Sequence, residues 1–180
     1  MIDSRGWLTT ASHHPSPNFN ERPEQTEISL LVIHNISLPP ENFGGDWISD
    51  FFCNQLDPTA DPYFETIAGL QVSSHLLIRR TGEIIQFVSF DKRAWHAGKS
   101  IFNNRENCND FSIGVELEGS DNQPFEAVQY QCLSDISQTL MQHYPDITPE
   151  NIAGHSDIAP GRKTDPGPFF EWDYFRSLLK

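Results

Sequence analysis

Branched apolar residues dominate positions 28–35, ISLLVIHN, and such a run predicts a buried β-strand. Alternate side chains of a strand point to the same face, so His34 shares its face with Leu30 and Val32. Polar groups at the end of a buried strand commonly form the floor of a site. His34 and its neighbour Asn35 are therefore candidate site residues.

A second strand is predicted at residues 111–119, FSIGVELEG, where apolar and non-apolar positions alternate. One face is apolar, and the other carries Ser112, Gly114, Glu116 and Glu118. Small residues leave space above the sheet. A buried carboxylate in that space is energetically costly, so it is expected either to pair with a cation or to take part in a reaction. We predict one of these two roles for Glu116, which lies deeper in the strand than Glu118. Glu118, at the strand end, is expected to be solvated or to accept hydrogen bonds from the chain.

The remaining pattern predicts a hairpin and three helices. Residues 73–88, SSHLLIRRTGEIIQFV, predict two strands around a Thr-Gly turn. Helical spacing predicts helices from Asp46 to about Leu56, from Pro124 to about Tyr144 with Val128 in its apolar stripe, and over residues 171–179. Residues 57–71 are irregular, and we hypothesise that they form a lid or pocket wall. We expect one domain over residues 1–180, with residues 1–27 as an irregular segment packed on it.

A polar, proline-rich segment at residues 154–168, GHSDIAPGRKTDPGP, has the chemistry of a site. His155 is followed ten residues later by Asp165, and Asp165 precedes a proline, which favours extended backbone geometry. In an extended segment Lys163 faces the same side as Asp165, while Arg162 faces the other side. The segment therefore predicts a metal site with a cation beside it. The alternative is an ordinary Asp-Pro turn and a hydrogen-bonded histidine.

Charge and cysteine content narrow the classes of partner and compartment. The net charge of −13 argues against nucleic acid or an anionic membrane as the main partner. A local group of basic residues suits a small anionic ligand instead. The N-terminus lacks an apolar core of signal-peptide length, and no stretch could span a bilayer. The three cysteines lie far apart without CxxC spacing, which argues against a disulfide framework and indicates a reducing cytoplasm.

Three side chains form a candidate set of metal ligands: His34 from the strand end, and His155 and Asp165 from the loop. Two histidines and one carboxylate are a standard catalytic zinc set, which leaves a fourth position for water. The same set suits non-haem iron, but nothing in the sequence indicates a redox cosubstrate. His75, which opens a predicted strand, and His96, in the segment RAWHAGKS, are rival ligands.

An acid, a base and a cation beside this ligand set favour hydrolysis. Glu116 is the predicted proton carrier, which takes a proton from the attacking water and passes it to the leaving nitrogen. Lys163 is the predicted stabiliser of the oxyanion. Trp95, next to His96, predicts a pocket rim for a sugar or a peptide.

Long runs of sequence resemble one family of hydrolases. The runs are SPNFNERP, ISLLVIHN, DPYF, IRRTGEIIQFV, RAWHAG, CNDFSIGVELEG and GHSDIAPGRKTDPGP, and together they extend over nearly the whole chain. The chain resembles the cytoplasmic N-acetylmuramoyl-L-alanine amidases of the AmpD type, which are zinc hydrolases of peptidoglycan recycling. The resemblance implies an α/β fold with a central mixed β-sheet flanked by helices, shared with phage amidases and peptidoglycan-recognition proteins.

The resemblance also implies roles for individual residues. It implies zinc at His34, His155 and Asp165, catalytic roles for Glu116 and Lys163, and substrate contacts by Asn35, Trp95 and Arg162. The substrate in the family is a small soluble 1,6-anhydro-N-acetylmuramoyl peptide, cut between the lactyl carbonyl and L-alanine, and we expect a cytoplasmic monomer. An arginine often occupies the position of Gln71 in the family, which leaves the contacts to the peptide end open. The alternatives are a lysin that acts on polymeric peptidoglycan and a non-catalytic peptidoglycan-recognition module.

Overall fold

The computed structural model describes residues 1–179, and its centre is a mixed sheet. Within these residues the strands are β1 (Ser12–His13), β2 (Phe19–Glu21), β3 (Leu30–Ile36), β4 (Leu76–Ile78), β5 (Ile84–Gln86), β6 (Lys92–Ala94), β7 (Ile101–Phe102), β8 (Arg105–Glu106), β9 (Ser112–Glu118) and β10 (Ile152–Gly154). Six of them form the sheet in the order β1-β5-β4-β9-β3-β10. Its neighbours are parallel except for the antiparallel pair β4 and β5, which is the predicted hairpin.

Helices cover both faces of this sheet, which confirms the predicted α/β fold. They are α1 (Trp47–Phe52), α2 (Pro62–Thr66), α3 (Ala127–His143), α4 (His155–Ile158) and α5 (Trp172–Leu178). Leu133 of α3 and Phe175 of α5 pack with Ile113 on one face. On the other face, Phe52 of α1 and Phe64 of α2 pack with sheet residues in a second cluster. No helix in residues 1–179 is long and apolar enough to cross a membrane.

Two helical segments differ from the sequence prediction. Helix α3 begins at Ala127, after Glu126, whose backbone N–H donates to Gln129 Oε1 at 3.0 Å. The prediction that Val128 belongs to the core stripe is wrong, since this side chain is 43% exposed. Helix α2 lies in the segment predicted to be irregular and begins after Asp61, whose carboxylate accepts a hydrogen bond from the Tyr63 N–H at 2.8 Å.

The N-terminal segment is more regular than the sequence predicted. Strand β1 pairs in parallel with β5, and β2 pairs antiparallel with β6. The guanidinium of Arg22 donates hydrogen bonds to the backbone carbonyls of Phe90, Asn109, Asp110 and Ser112. These bonds hold residues 1–27 against the chain that leads into β9, because buried carbonyl groups need donors.

The strand order gathers polar side chains at one edge of the sheet. Strands β3, β9 and β10 are parallel, so their carboxyl ends meet there. His34 and Glu116 are register partners on adjacent strands. Strand β10 ends at Gly154, directly before His155, and a Cβ atom at Gly154 would lie 2.8 Å from Pro166 Cδ. Glycine at this position therefore lets the loop that carries Asp165 pack against the strand end.

Candidate metal centre

The structure brings together the three residues that the sequence predicted as metal ligands. His34 Nδ1 lies 3.0 Å from His155 Nδ1 and 2.9 Å from Asp165 Oδ2. His155 Nδ1 lies 3.0 Å from the same carboxylate oxygen. Both histidines are buried, and the three side chains could hold one metal ion. The three donor atoms thus form one triangle. His34 comes from a strand end, and the other two residues lie more than a hundred positions later in the chain.

The protonation states of the two histidines and of the aspartate allow the triangle to bind a cation. His155 Nε2 lies 3.0 Å from the Ala97 carbonyl, which only accepts hydrogen bonds, so Nε2 can carry the proton and leave a lone pair on Nδ1 for a metal ion. Burial lowers the pKa of His34 to about 4, which makes this imidazole neutral near pH 7. Burial alone would raise the pKa of Asp165, but hydrogen bonds from His155 and His34 bring it below its usual range. Two imidazole nitrogens facing a carboxylate match the donor set of catalytic zinc.

The two rival histidines lie outside the triangle. His75 Nε2 lies 3.0 Å from the Lys92 carbonyl, and its Nδ1 accepts the Gly114 N–H at 3.0 Å. Both ring nitrogens of His75 are therefore engaged with the backbone. His96 Nδ1 lies 3.0 Å from Nε2 of His34, the nitrogen that points away from the triangle.

Glu116 lies beside the triangle as a buried carboxyl group. It is 8% exposed, and its Oε2 has no hydrogen-bond partner among residues 1–179. Burial raises the pKa of Glu116 well above its usual value, and the charge of Asp165 raises it further, while Lys163 acts in the opposite direction. A carboxyl group whose pKa is shifted by burial and by neighbouring charges can bind and release a proton next to the candidate metal ligands.

Of the two environments predicted for Glu118, solvent exposure is wrong and acceptance of hydrogen bonds from the chain is confirmed. Glu118 is not solvated but 2% exposed, and thus more deeply buried than Glu116. Its carboxylate accepts hydrogen bonds from the backbone N–H groups of Gly44 at 2.6 Å and Arg80 at 3.0 Å. Glu118 therefore ties two loops to the end of β9, and its oxygens are already satisfied.

A cleft of about 540 Å³ opens above these groups. Glu116, Lys163 and the three candidate ligands line its floor. Tyr63, Ile67 and Leu70 line an apolar side, so part of the segment hypothesised to be a pocket wall does border the cleft. A polar end is formed by Glu41, Ser120, Asp121 and Asn122. This volume and this mixture of surfaces suit a small ligand with apolar and polar parts.

The predicted substrate residues lie in different places. Asn35 and Trp95 line the cleft. The Asn35 amide donates to Asp121 Oδ1 at 2.7 Å and to the Pro166 carbonyl at 3.0 Å, so it also holds the loop in place. The Trp95 indole N–H donates to Asn20 Oδ1 at 2.8 Å, which fixes the direction of the ring.

The structure does not bring Arg162 into the cleft. Its guanidinium donates to the carbonyls of Ala97 and Lys99, both at 2.6 Å, and the side chain lines a separate groove. Arg162 and Lys163 line different cavities, but the predicted extended geometry is not the cause, because the N–H groups of both residues donate to the Ala159 carbonyl in a turn. Gln71 also lines a neighbouring groove and not the cleft floor. The contacts of His96 and Asp121 could not be predicted from the sequence, because each depends on a partner distant in the chain.

Known proteins similar to this chain carry consistent names. Residues 24–168 match the family described as N-acetylmuramoyl-L-alanine amidase. The chain is 55% identical to the 1,6-anhydro-N-acetylmuramyl-L-alanine amidase AmpD of Enterobacter cloacae over 179 residues, which is 99% of this chain and 95% of that protein. A crystal structure of a selenomethionine AmpD derivative has a TM-score of 0.97 and 54% identity, with 100% of this chain and 99% of that chain covered.

A more distant structure contains a ligand. It is the amidase AmiD from E. coli in complex with the substrate anhydro-N-acetylmuramic acid-L-Ala-D-gamma-Glu-L-Lys. The TM-score is 0.60 and the identity is 31%, with 98% of this chain and 62% of that chain covered. An endolysin from Bacillus subtilis, at 20% identity and a TM-score of 0.65, shares the fold.

Proposed function

The chain belongs to the N-acetylmuramoyl-L-alanine amidase family, and from this premise we propose that it is a zinc-dependent amidase of peptidoglycan recycling. The proposed reaction is hydrolysis of the amide between the lactyl group of 1,6-anhydro-N-acetylmuramic acid and L-alanine in muropeptides. The observation that carries the proposal is the triangle of His34, His155 and Asp165 at the floor of the cleft, with Glu116 beside it.

We assign His34 Nδ1, His155 Nδ1 and one oxygen of Asp165 as the ligands of one zinc ion. When bound, zinc supplies a Lewis acid that polarises a carbonyl and lowers the pKa of water. His155 is oriented for this task by the Ala97 carbonyl, and Asp165 is held by the hydrogen bond from the Ser156 N–H to its backbone carbonyl at 2.9 Å. The ligands are thus fixed by contacts outside the triangle.

Glu116 and Lys163 carry the proposed proton transfer and charge stabilisation. Glu116 accepts a proton from the attacking water and delivers it to the amide nitrogen as that bond breaks. Its Oε2 is buried and makes no hydrogen bond within residues 1–179, so no protein group competes for the proton that this oxygen would bind. The exposed ammonium of Lys163 lines the same cleft and stabilises the negative charge that develops on the carbonyl oxygen.

The substrate we propose is a small soluble muropeptide. In this assignment the sugar lies near Trp95, whose ring is held by Asn20, and the peptide extends along the cleft. Support comes from the name of the Enterobacter cloacae relative and from the anhydro-sugar ligand in the AmiD complex. The net charge of −13 also repels anionic wall polymers.

We expect the catalytic efficiency to be higher on 1,6-anhydro-N-acetylmuramoyl peptide than on its hydrated counterpart, and lowest on purified sacculi. The cleft at the edge of one sheet accommodates a small ligand and the surface charge disfavours the polymer, while the expected preference for the anhydro sugar follows the name of the Enterobacter cloacae relative. The measurement is kcat/KM for peptide release from the three substrates under the same buffer and salt. Cleavage of sacculi at equal or higher efficiency would move the protein to the lysin class.

We further propose that the protein acts as a cytoplasmic monomer. Its three cysteines, Cys53, Cys108 and Cys132, are free thiols in the structure, as is usual in a reducing compartment. Cell fractionation and light scattering of the purified protein test the compartment and the mass. Recovery in an extracytoplasmic fraction, or a mass of twice the chain, would overturn the respective part.

A further inference from the structure

A chain of side-chain contacts continues from His34 on the side opposite to the triangle of donor atoms. His34 Nε2 lies 3.0 Å from His96 Nδ1, and His96 Nε2 lies 3.1 Å from the hydroxyl oxygen of Ser112. We propose that His96, supported by Ser112, is a positioning residue that selects the metal-binding tautomer of His34. This inference rests on the zinc site proposed above and adds to it two residues outside the triangle of donor atoms, of which His96 also borders the cleft.

The direction of the hydrogen bonds follows from the requirement that His34 presents a lone pair to the metal. For His34 to present a lone pair at Nδ1, its single proton must be on Nε2, and that proton is donated to His96. His96 Nδ1 is then the acceptor, so the proton of His96 is on Nε2 and is donated to Ser112. The reverse arrangement, with the proton on His96 Nδ1, would force the proton of His34 onto Nδ1 and block coordination.

The backbone around His96 is built to hold this position. A single acceptor, Asn109 Oδ1, receives the N–H groups of His96 at 3.1 Å and Ala97 at 2.8 Å. The Ala97 carbonyl is in turn the acceptor for His155 Nε2. Two consecutive residues therefore orient both candidate histidine ligands, His96 through its side chain and Ala97 through its backbone.

The strand below the ring supplies the space for it. A Cβ atom at Gly114 would lie 2.5 Å from His96 Cγ and 2.6 Å from His96 Nδ1. The imidazole thus lies directly on the backbone of β9, and the small residue that the sequence showed at position 114 accommodates it. Ser112 lies two residues before Gly114 on the same face, where its hydroxyl meets the far ring nitrogen.

The test is the affinity of each variant for Zn²⁺, measured by competition with a chromophoric chelator. The side chains introduced by His96→Asn and His96→Leu branch at the same atom, but only asparagine has an oxygen near the position of Nδ1. We expect His96→Leu to weaken zinc binding by about 10-fold to 100-fold, the range typical of outer partners of metal ligands, and His96→Asn to recover most of the loss. Equal losses in the two variants, or no loss in either, would overturn the proposal.

Ser112→Ala provides a second, smaller perturbation with a matched control. Ser112 and Ser137 are both fully buried, and Ser137 donates only to the Leu133 carbonyl within α3. We expect Ser112→Ala to weaken zinc binding several-fold and Ser137→Ala to leave it unchanged. If His96→Leu does not fold, this pair decides the question, and equal affinities of the two serine variants then contradict the proposal.

A spectroscopic measurement reports the tautomer itself. Long-range proton–nitrogen NMR spectra of the zinc-loaded protein should show the His96 proton on Nε2 in the wild type. In Ser112→Ala that proton should shift towards Nδ1, an effect that loss of packing alone does not produce. Wild-type protein that binds no zinc would refute the proposed metal site. Wild-type binding with unchanged variants would refute the positioning role alone.

Discussion

The Glu116→Gln variant is expected to lose about a hundredfold to ten-thousandfold in kcat while it keeps its zinc. Glu116 is the register partner of His34 but lies outside the triangle of donor atoms, so its role is proton transfer and not coordination. Glutamine keeps the volume of the side chain in this buried position and removes the group that binds the proton. The measurement combines steady-state kinetics on anhydro-muropeptide with metal analysis of the same sample.

Glu118→Gln is the matched control for this prediction. Both carboxylates lie on the same face of β9 and both are buried, but Glu118 accepts two backbone hydrogen bonds and is not in the cleft lining. We expect its replacement to change stability more than turnover. A loss of kcat in Glu118→Gln equal to that of Glu116→Gln, at matched stability, would show that the catalytic carboxylate is misassigned. Loss of zinc from Glu116→Gln would show that it is a ligand.

The Asp165→Ala variant is expected to lose zinc and activity together. Asp165 Oδ2 lies within 3.0 Å of Nδ1 of both His34 and His155, so its removal takes away the charged donor of the set. The loss of zinc affinity should exceed about 100-fold, the upper range for residues that only support a ligand. Zinc competition and kinetics with added zinc provide the measurement.

A carboxylate of helix α4 provides the control for Asp165. Asp157 is exposed, and its Oδ2 accepts the Gly154 N–H at 2.8 Å, close to the site but outside the triangle. Asp157→Ala should retain full zinc content and most of the activity. If Asp165→Ala retained one zinc per chain at wild-type affinity, Asp165 would not be a ligand.

Local periodicity explains which parts of the fold could be predicted from the sequence. The alternation in residues 28–35 placed His34 on the face of Leu30 and Val32, and the structure has these two residues in one buried cluster beneath the site. The alternation in residues 111–119 likewise separated Ile113 and the other core residues from Glu116. These assignments need only the period of a strand, which is a property of neighbouring residues.

Features that depend on distant partners could not be predicted in this way. Glu118 is buried because Gly44 and Arg80, both far away in the chain, donate to it. Val128 is exposed at the edge of the core, beside the turn at Gly82. The contact of His96 with His34 spans 62 positions and gives no local signal. Long-range hydrogen bonds of this kind are set by the packing of the whole sheet.

The most direct test of the zinc mechanism is the rate of L-alanyl peptide release from 1,6-anhydro-N-acetylmuramoyl peptide before and after removal of zinc. Protein purified without chelator should contain about one zinc per chain, as expected for a site with three protein ligands. Complete chelation should abolish the activity, and about one equivalent of zinc should restore it, while the fold remains intact by circular dichroism. Full activity in protein shown by metal analysis to contain no zinc would contradict the proposed role of His34, His155 and Asp165.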